Sequence, residues 1–494
     1  MLWLCLRLPR LPLEVRSRAM RRGGPPLAVA DPERRRVVAA DGRARARGVR
    51  PGMGLAAART LCAGLRVLPR DPGAEAEALA RLAAWAGRFS DRVGLAPPCS
   101  VLVEVGGSLR LFGGAERLRL KVAAGLESLG YTFRLAAAPT PLAARWLAQA
   151  RPGSWVPDTA ALETALDALP LDLPLETVPA QALERLRAWG LRRLGEVMRL
   201  PRAGLARRAG PELPAALDRA RGLAPDPVAP FAPPAAYRGR LELPAPCADA
   251  GALAFALRRL LAELEGWLAG RDGAVTRLTL TLGHAGGAAT PLALPLAAPC
   301  ADAARLLELL RLRLERTRLP APVLSLTLES GPAEPAAPRT GELLGAGAEG
   351  PREAPAALLD RLAARLGRGA LAGIAPADDH RPERAWRRVA PAPTGDRRRD
   401  GRGRAPPSGE PPPPGQRPLW LLPRPRPLPA RRGMACLPEG LRLVAGPERI
   451  DTGWWDGRPV ARDYYVAETP EGARWWVFRE RRGARGWYLH GLFA

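Results

Sequence analysis

The stretch Pro98-Cys99-Ser100-Val101-Leu102-Val103-Glu104-Val105-Gly106-Gly107-Ser108-Leu109-Arg110-Leu111-Phe112-Gly113 carries the strongest fold signal in this chain. Its apolar run predicts a buried strand, the Gly-Gly pair predicts a turn, and a second short apolar segment ends at glycine. Outward from this stretch, apolar runs predict strands over 2–8, 37–40 and 131–137, and helical spacing predicts helices over 75–89, 116–129 and 141–149. The alternation of strands and helices predicts an α/β domain with a helical insertion.

The length and charge of the chain indicate several domains and a polyanionic partner. The 494 residues are enough for roughly three or four domains. The 75 lysine and arginine residues against 49 acidic ones give a formal net charge of +26. Such an excess is typical of proteins that bind nucleic acid, because phosphate contacts release counterions. A GC-rich genome explains arginine in place of lysine, but it explains the surplus over acids less well, so DNA is the favoured partner.

The cysteine and histidine residues are too scattered for a structural metal site. The six cysteines never form a C-x-x-C pair, and there are three histidines, so we expect no metal and no other cofactor. Isolated cysteines of this kind are typical of a cytoplasmic protein. Arg7 and Arg10 interrupt the apolar N-terminal run too early for a signal peptide or a membrane helix, so no membrane association is expected.

The chain downstream of residue 170 divides into four further segments. Short helices with glycine turns fill 171–230, and three strands with two helices fill 235–332 as an α+β domain. Residues 333–430 contain one convincing helix, over 354–366, and a disordered linker rich in proline, arginine and glycine. The last segment, 431–494, alternates aromatic residues well enough to predict a small β-rich module.

The turn in the helical segment is a candidate DNA-binding site. Gly190-Leu191-Arg192-Arg193-Leu194-Gly195 joins two short helical patterns, as in a helix-hairpin-helix. Backbone N–H groups in such a turn hold a DNA phosphate without reading the base sequence. The residues expected to do so are Gly190, Leu191, Arg192, Arg193 and Gly195. A plain helical hairpin is the alternative interpretation.

Two strands resemble the palm strands of the Y-family (translesion, UmuC-like) DNA polymerases. The stretch 98–113 is similar to the palm strand that carries an adjacent Asp-Glu pair in that family, and this chain has Cys99 and Ser100 there. The strand over 2–8 is similar to the family's first strand, which carries a D-x-D pair where this chain has Cys5 and Arg7. The fold is therefore expected to be retained without the acidic pairs.

Two further blocks extend the resemblance to the nucleotide contacts. Residues 44–53 are similar to the fingers motif Y-x-A-R-x-x-G-V-x-x-G-M, which here keeps Arg45 and has Gly42 in place of the tyrosine. Residues 136–145 are similar to G-I-A-x-N-K-x-x-A-K, with Arg145 at the last lysine. The resemblance implies that both arginines are remnants of a nucleotide site. It also implies a palm and fingers over 1–170, a helix-hairpin-helix thumb over 171–230 and a little finger over 235–332.

The substituted positions determine the mechanism that the resemblance implies. Two-metal phosphoryl transfer needs acidic oxygens to hold magnesium. Cysteine is too soft a ligand and serine too weak, and the guanidinium of Arg7 would repel the metal. The resemblance therefore implies a polymerase-like protein that is not an enzyme. The alternative is an active Y-family translesion polymerase that uses displaced carboxylates such as Glu14 or Glu104.

The C-terminal segment resembles the ImuB-type branch, the catalytically degenerate Y-family members of bacterial mutagenesis cassettes. The similarity rests on blocks such as Gly446-Pro447-Glu448-Arg449-Ile450 and Trp487-Tyr488-Leu489-His490-Gly491. It implies a non-catalytic, DNA-binding scaffold of translesion synthesis and SOS mutagenesis. Such a scaffold would join the sliding clamp to an error-prone C-family DNA polymerase and to an ImuA-like, RecA-related partner.

Two short segments are candidates for the clamp-binding peptide, in which two apolar side chains fill a pocket and a glutamine bonds at its edge. One segment contains Leu343 and Leu344, where the family usually has its motif, but threonine replaces the glutamine. The other contains Gln416, Leu419, Trp420 and Leu421. The first strand of the C-terminal module is an equally good interpretation of the second segment.

The aromatic residues of the last segment are candidate partner anchors, namely Trp454, Trp455, Tyr464, Tyr465 and Trp487. Tryptophan and tyrosine at strand spacing are usually core residues, which is the alternative interpretation. A module this small buries only some of them, and the rest are then available to a partner. Stacking on single-stranded DNA is a third interpretation, given the arginines interleaved with them.

Overall fold

The computed structural model describes residues 1–18, 24–172, 175, 177–336, 355–391, 417–429, 437, 439–483 and 485–493. These residues form two compact units, Met1–Arg365 and Leu366–Ala494, and each is described by itself. No helix in the described ranges is both long and apolar enough to cross a membrane.

The first unit contains twelve strands within its described ranges. They are β1 (Trp3–Arg7), β2 (Leu27–Asp31), β3 (Arg36–Ala40), β4 (Arg66–Pro69), β5 (Val93–Ala96), β6 (Ser100–Glu104), β7 (Arg134–Ala138), β8 (Ala236–Cys247), β9 (Gly273–His284), β10 (Ala289–Cys300), β11 (Val323–Pro332) and β12 (Glu334–Pro335). The helices are α1 (Leu11–Ser17), α2 (Gly42–Ala46), α3 (Leu55–Leu61), α4 (Pro72–Ala86), α5 (Ala115–Leu129), α6 (Pro141–Ala150), α7 (Thr159–Asp167), α8 (Ala180–Ala188), α9 (Leu194–Met198), α10 (Arg202–Ala209), α11 (Glu212–Arg221), α12 (Ala250–Ala269), α13 (Ala303–Arg316) and α14 (Pro355–Leu366), which ends at the boundary of the unit.

The stretch 98–113 forms the strand that its sequence predicts. β6 is buried at all five positions and pairs with β1 and β5 in a four-stranded antiparallel sheet of order β5-β6-β1-β7. The Gly-Gly pair begins a short 3₁₀ turn, Gly106–Ser108. The second apolar segment is a surface turn rather than a strand, and its Leu111 is 82% exposed. The segment Leu109-Arg110-Leu111-Phe112 is too short to pair with the sheet.

The two faces of this sheet belong to different apolar cores. Leu4, Leu6, Val101 and Val103 pack with helices α4 and α5 on one face. The residues that alternate with them, including Cys5 and Leu102, pack with α6 and with the helices α7 to α11 on the other. The period of two along each strand therefore places Cys5, Arg7 and Ser100 on the face away from the α4–α5 core and Cys99 on the face toward it.

A small three-stranded sheet of order β3-β2-β4, with α2 and α3, forms what we call the fingers-like lobe, residues 24–70. β2 pairs antiparallel with β3 and parallel with β4. Its core consists of alanine, valine and cysteine side chains such as Ala28, Val37, Val49 and Cys62. These side chains are small, so the lobe buries little apolar area and exposes much of its polar surface.

The α+β segment forms a second sheet, of order β10-β9-β11-β8, covered by α12 and α13. Its helix α12 packs against α4, where the side chain of Trp85 fits only because Gly266 has no Cβ. Glu263 of α12 is fully buried between Arg18 (2.5 Å) and Arg81 (3.1 Å). Burial alone would raise the pKa of Glu263, but these two guanidinium groups hold it below its usual range. A buried carboxylate shared by two arginines thus connects α12 to α4 and to the end of α1.

The second unit contains a hairpin and an antiparallel sheet, within its described residues. The hairpin pairs β13 (Gly373–Pro376) with β14 (Trp386–Val389). The sheet has the order β15-β19-β18-β17-β16, from β15 (Trp420–Pro427), β16 (Arg442–Thr452), β17 (Val460–Glu468), β18 (Arg474–Glu480) and β19 (Trp487–Leu492). We call this unit the C-terminal module. Its sheet takes a strand from upstream of residue 431, because β15 pairs with β19. Most of the expected disordered linker lies outside the described residues.

Candidate functional site

Three of the four residues that replace the acidic pairs, Cys5, Arg7 and Ser100, lie on one face of the first sheet, and Cys99 packs against the other. Antiparallel pairing of β1 with β6 sets Arg7 opposite Ser100 and Cys5 opposite Leu102. Cys99 lies just before β6, and its carbonyl oxygen accepts a hydrogen bond from the Leu8 amide at 2.7 Å. Arg7 and Ser100 are therefore cross-strand neighbours, whereas Cys99 precedes the strand on its other face.

This face is buried. Cys5 and Ser100 are both 0% exposed, and they belong to the layer that packs against α6 and the helices that follow it. The hydroxyl of Ser100 has no hydrogen-bond partner among the described residues. Alanine and leucine side chains of this layer cover Cys5 and Ser100, whereas Arg7 is half-buried.

The chain that follows α11 also covers this face. Asp226 accepts a hydrogen bond from the Leu142 amide at 2.8 Å, at the start of α6. Val228 then lies so close to Gly94 of β5 that any side chain at position 94 would collide with it. The amide of Phe231 donates to the carbonyl oxygen of Val93 at 2.8 Å. The proline-rich segment 225–234 is thus held against the sheet.

The two surviving carboxylates are engaged in structural contacts. Glu104 lies four residues beyond Ser100 on β6, about 13 Å along the strand, and its Oε1 accepts the amides of Leu2 (3.0 Å) and Gly106 (3.1 Å). Glu14 of α1 accepts the amide of Thr132 at 3.0 Å, and burial raises its pKa. Each carboxylate therefore has a structural role: Glu104 binds the amides at the start of β1 and after β6, and Glu14 connects α1 to the amide of Thr132.

The donor chemistry of the face does not fit magnesium. Thiol, hydroxyl and guanidinium groups stand where the family resemblance requires hard oxygen anions. The described residues contain no group of three or more histidine, cysteine, aspartate or glutamate side chains placed to hold a metal ion. We therefore derive no catalytic step through a metal at this face.

Arg45 and Arg145, the expected remnants of the nucleotide contact, lie on different parts of the first unit. Arg45 is in α2 of the fingers-like lobe, and its Nε donates to the Asp41 carbonyl oxygen at 3.3 Å. Arg145 is in α6, whose other face is part of the core. Both side chains are half-buried.

The helical hairpin forms, but its turn is filled by a carboxylate. Glu196 of α9 accepts the amides of Arg192 (2.7 Å) and Arg193 (3.3 Å), which hold its pKa below the usual range. The amide of Leu194 donates to the Leu169 carbonyl oxygen, and that of Leu191 to Leu186. Most of the turn amides that would hold a phosphate are thus already bonded within the protein, which favours a plain helical hairpin.

The clamp-motif candidates divide by position. Leu343, Leu344 and Gln416 lie outside the described residues. Leu419 is fully exposed and Trp420 is 69% exposed at the beginning of the edge strand β15, while Leu421 is half-buried. The interpretation of this segment as the first strand of the module agrees with the pairing of β15 and β19.

The five aromatic anchor candidates fall into two groups. Tyr464 and Trp487 are buried, and Tyr465 is half-buried against Trp487 at 5.4 Å between ring centroids. Trp454 and Trp455 follow β16 on a short turn, are 76% and 55% exposed, and contact each other edge to face. Burial removes Tyr464 and Trp487 as surface anchors, because their rings stabilise the module core.

Sequence reasoning missed one feature, the exposed arginines of the fingers-like lobe. The run Arg34-Arg35-Arg36 lies at the tip of the β2–β3 hairpin, and these three side chains are exposed. The signal was present in the sequence as three consecutive arginines directly after Asp31-Pro32, a pair that favours a turn.

Comparisons with known proteins identify the family of this chain. A model of the impB/mucB/samB family matches residues 14–149. Protein ImuB from two strains of Caulobacter vibrioides is 30% identical over 479 residues, which is 90% of this chain and 100% of that protein.

Among solved structures, the chain is similar to a ternary complex of Dbh (17% identity, TM-score 0.39, 67% of this chain and 98% of that one). It is also similar to DinB from Sulfolobus solfataricus (18% identity, TM-score 0.38, 68% of this chain and 100% of that one). The match to the curated relative, which extends over that protein's whole length, decides the assignment. The chain belongs to the ImuB family.

Proposed function

We propose that this protein is a non-catalytic, DNA-binding scaffold of translesion synthesis. It would link the sliding clamp to an error-prone C-family DNA polymerase and to an ImuA-like, RecA-related partner. The observation that carries the proposal is the sheet face on which Cys5, Arg7 and Ser100 stand in place of carboxylates, with Cys5 and Ser100 fully buried. A polymerase-like fold that is kept while its metal chemistry is lost is suited to binding rather than synthesis.

The first test is primer extension by the purified full chain with Mg²⁺ or Mn²⁺. We expect no extension, because Glu104 and Glu14 each bind backbone amides through Oε1 and no third carboxylate lies with either of them to form a metal site among the described residues. Glu104→Gln is the matched variant, since it keeps the shape of the side chain and removes the charge. Metal-dependent extension that disappears in Glu104→Gln would establish the rival function, an active polymerase that uses a displaced carboxylate.

The second test addresses the clamp. The pairs Leu343/Leu344 and Leu419/Trp420 are replaced by alanine, separately and together, and clamp binding is measured by surface plasmon resonance. Leu111 and Leu223 are exposed leucines of the first unit and supply a matched double-alanine control. Loss of clamp binding in one pair identifies the motif, and retention in the fourfold variant would refute both assignments.

The third test addresses the polymerase and the RecA-related partner. Trp454 and Trp455 are exposed and contact each other. Exposed aromatic side chains of this kind are typical of residues that insert into a pocket of a partner protein. Trp454→Ala/Trp455→Ala should lose one of the two partners in a co-purification assay. Trp386→Ala removes another exposed tryptophan of the same unit and is the control. Equal loss in both variants would argue against a specific anchor.

A further inference from the structure

The exposed end of the fingers-like lobe carries an unusual amount of uncompensated charge. Residues 24–70 contain ten arginines and three acidic residues, a net charge of +7. The whole chain has a net charge of +26 over 494 residues. Less than a tenth of the chain therefore carries more than a quarter of its net charge.

The carboxylates of two of the three acidic residues in the lobe accept hydrogen bonds from backbone amides. The Asp31 carboxylate accepts the amides of Glu33 and Arg34, each at 3.0 Å. The Asp41 carboxylate caps α2 by accepting the Ala44 amide at 2.7 Å. Both carboxylates are fixed by turn and helix geometry. The Arg34 amide lowers the pKa of Asp31 most, and the charges of Arg34 and Arg70 add to this, so Asp31 offsets part of the positive charge at the hairpin tip.

Several of the exposed arginines donate to neutral groups. Arg36 donates to the Gly52 carbonyl oxygen at 2.9 Å, and Arg50 to that of Arg45 at 2.6 Å. Arg43 donates to the Gly24 carbonyl oxygen. Within the described part of the chain, no exposed arginine of residues 34–50 forms an ion pair with a carboxylate. A carbonyl oxygen orients a guanidinium group but leaves its full charge in place.

Backbone pairing brings the hairpin arginines Arg34, Arg35 and Arg36 and the loop residue Arg50 to one end of the lobe. The tip of the β2–β3 hairpin contacts the loop 50–55, where the Val37 amide donates to Met53 (2.8 Å) and the Leu55 amide to Arg35 (3.0 Å). The bond from Arg50 to the Arg45 carbonyl oxygen then connects this loop to α2. The four arginines that share this end are Arg34, Arg35, Arg36 and Arg50, which we call the arginine rim.

We propose that the arginine rim binds the phosphate backbone of DNA without reading its sequence. The inference rests on the proposed DNA-binding function and assigns the contact to the lobe rather than to the turn at 190–195. Guanidinium groups match phosphate oxygens in pairs. Arginines held by carbonyl oxygens keep this charge for the ligand, whereas Glu196 already occupies the amides of the turn.

The test replaces Arg34, Arg35 and Arg36 by glutamine in the full chain and measures DNA binding by fluorescence anisotropy over a series of salt concentrations. We expect affinity to fall at low salt and the slope of log K against log salt to become shallower by about 2, because each phosphate contact contributes about 0.7 to 0.9. R34Q/R35Q keeps the bond from Arg36 to Gly52 and should give about two thirds of that change.

The matched control is R119Q/R311Q/R442Q. It removes the same three charges from exposed arginines, each of which pairs with a carboxylate, namely Glu116, Glu315 and Glu468. This control should bind DNA nearly as the wild type does. The double variant R192Q/R193Q tests whether the turn at 190–195 contacts DNA.

The outcomes separate the inference from the function on which it rests. If the wild type binds DNA and the rim variants bind equally well with an unchanged slope, the inference is overturned and an acidic protein surface becomes the better occupant. Loss of binding in R192Q/R193Q alone would also overturn it. If the wild type does not bind DNA at any salt concentration, the proposed DNA-binding function itself fails.

Discussion

The fingers-like lobe and the C-terminal module are both rich in arginine, but they use its charge in opposite ways. In the lobe, the exposed arginines bond to carbonyl oxygens and their charge faces solvent. In the module, Arg462 pairs with Glu383, Arg449 with Asp463, and Arg381 with Asp379 and Asp456. Composition alone cannot separate the two uses, because both regions show the same arginine bias.

The difference extends from charge to packing. In the module, the guanidinium of Arg462 lies 4.7 Å from the centroid of the Phe478 ring, and that of Arg417 lies 6.0 Å from Trp476. The core of the lobe contains no comparable aromatic side chain among its described residues. Arginine therefore stabilises the module, whereas in the lobe it is left available to a ligand.

Removal of the central aromatic side chain should produce the largest loss of stability. Trp476 is buried and stacks on Tyr464, with ring centroids 4.1 Å apart. Trp476→Ala should cost about 4 kcal/mol, the usual range for a buried aromatic residue. The measurement is hydrogen exchange on the full chain, read at β17 and β18. Trp454→Ala, which removes an exposed ring, should change the same free energy by less than about 0.5 kcal/mol. Similar losses in both would mean that the module has no defined core.

The second prediction concerns pH and His490, which is buried in the same core. Burial lowers the pKa of His490 from 6.5 to about 4, opposed by the Glu383 carboxylate 3.8 Å away and assisted by Arg462. Its Nδ1 is 2.8 Å from the Tyr464 hydroxyl. The unfolded chain therefore takes up the proton near pH 6.5 and the folded module only near pH 4. The stability of the module is complete above pH 6.5 and falls by up to about 3 kcal/mol as the pH drops to 4.

His490→Gln supplies the control for this pH dependence. Glutamine keeps a hydrogen-bonding group near the Tyr464 hydroxyl but does not titrate. The difference between the wild-type and variant profiles isolates the histidine from carboxylates that titrate in the same range. If both proteins lose stability equally between pH 6.5 and 4, His490 is not the responsible group.

The sequence predicted the parts of the fold that depend on local pattern. The apolar runs of β1 and β6 located two strands, and the helical spacing in α12 located a helix, because hydrophobic pattern reports burial directly. The degenerate positions Cys5 and Ser100 were identified by the resemblance of these two strands to the Y-family palm strands, which periodicity alone does not give. The cover over them was not, since the contact of Val228 with Gly94 joins residues more than a hundred positions apart.

The sequence also did not show which carboxylates pair with which arginines or backbone amides. Glu196 looked like an ordinary helix residue, yet it occupies the turn amides that a phosphate would need. Glu263 sits in an apolar helical pattern, and its partners Arg18 and Arg81 come from two other helical regions. Which arginines are neutralised depends on tertiary contacts, and a single sequence does not report them.

The third prediction compares two arginines of the module. Arg462 is largely buried, and its Nη1 donates to Glu383 (2.9 Å) and to the Tyr464 hydroxyl (3.1 Å). Arg462→Met keeps the apolar stem but leaves Glu383 without its partner, so we expect a loss of about 2 kcal/mol. Arg442 forms a surface pair with Glu468, is 74% exposed, and should cost less than about 0.5 kcal/mol when replaced by methionine. Urea unfolding of both variants checks the prediction, and equal losses would contradict it.

The smallest effect is expected in the fingers-like lobe, and its sign is informative. R34Q/R35Q/R36Q removes like charges that repel one another, so the lobe should lose no stability and gain about 0.3 kcal/mol at low salt. The gain should vanish near 0.5 M NaCl, because the Debye length is then only about 4 Å. Hydrogen exchange at β2 and β3 in low and high salt provides the measurement. A loss above about 1 kcal/mol would mean that these arginines support the lobe as Arg462 supports the module, and the contrast between the two regions would not hold.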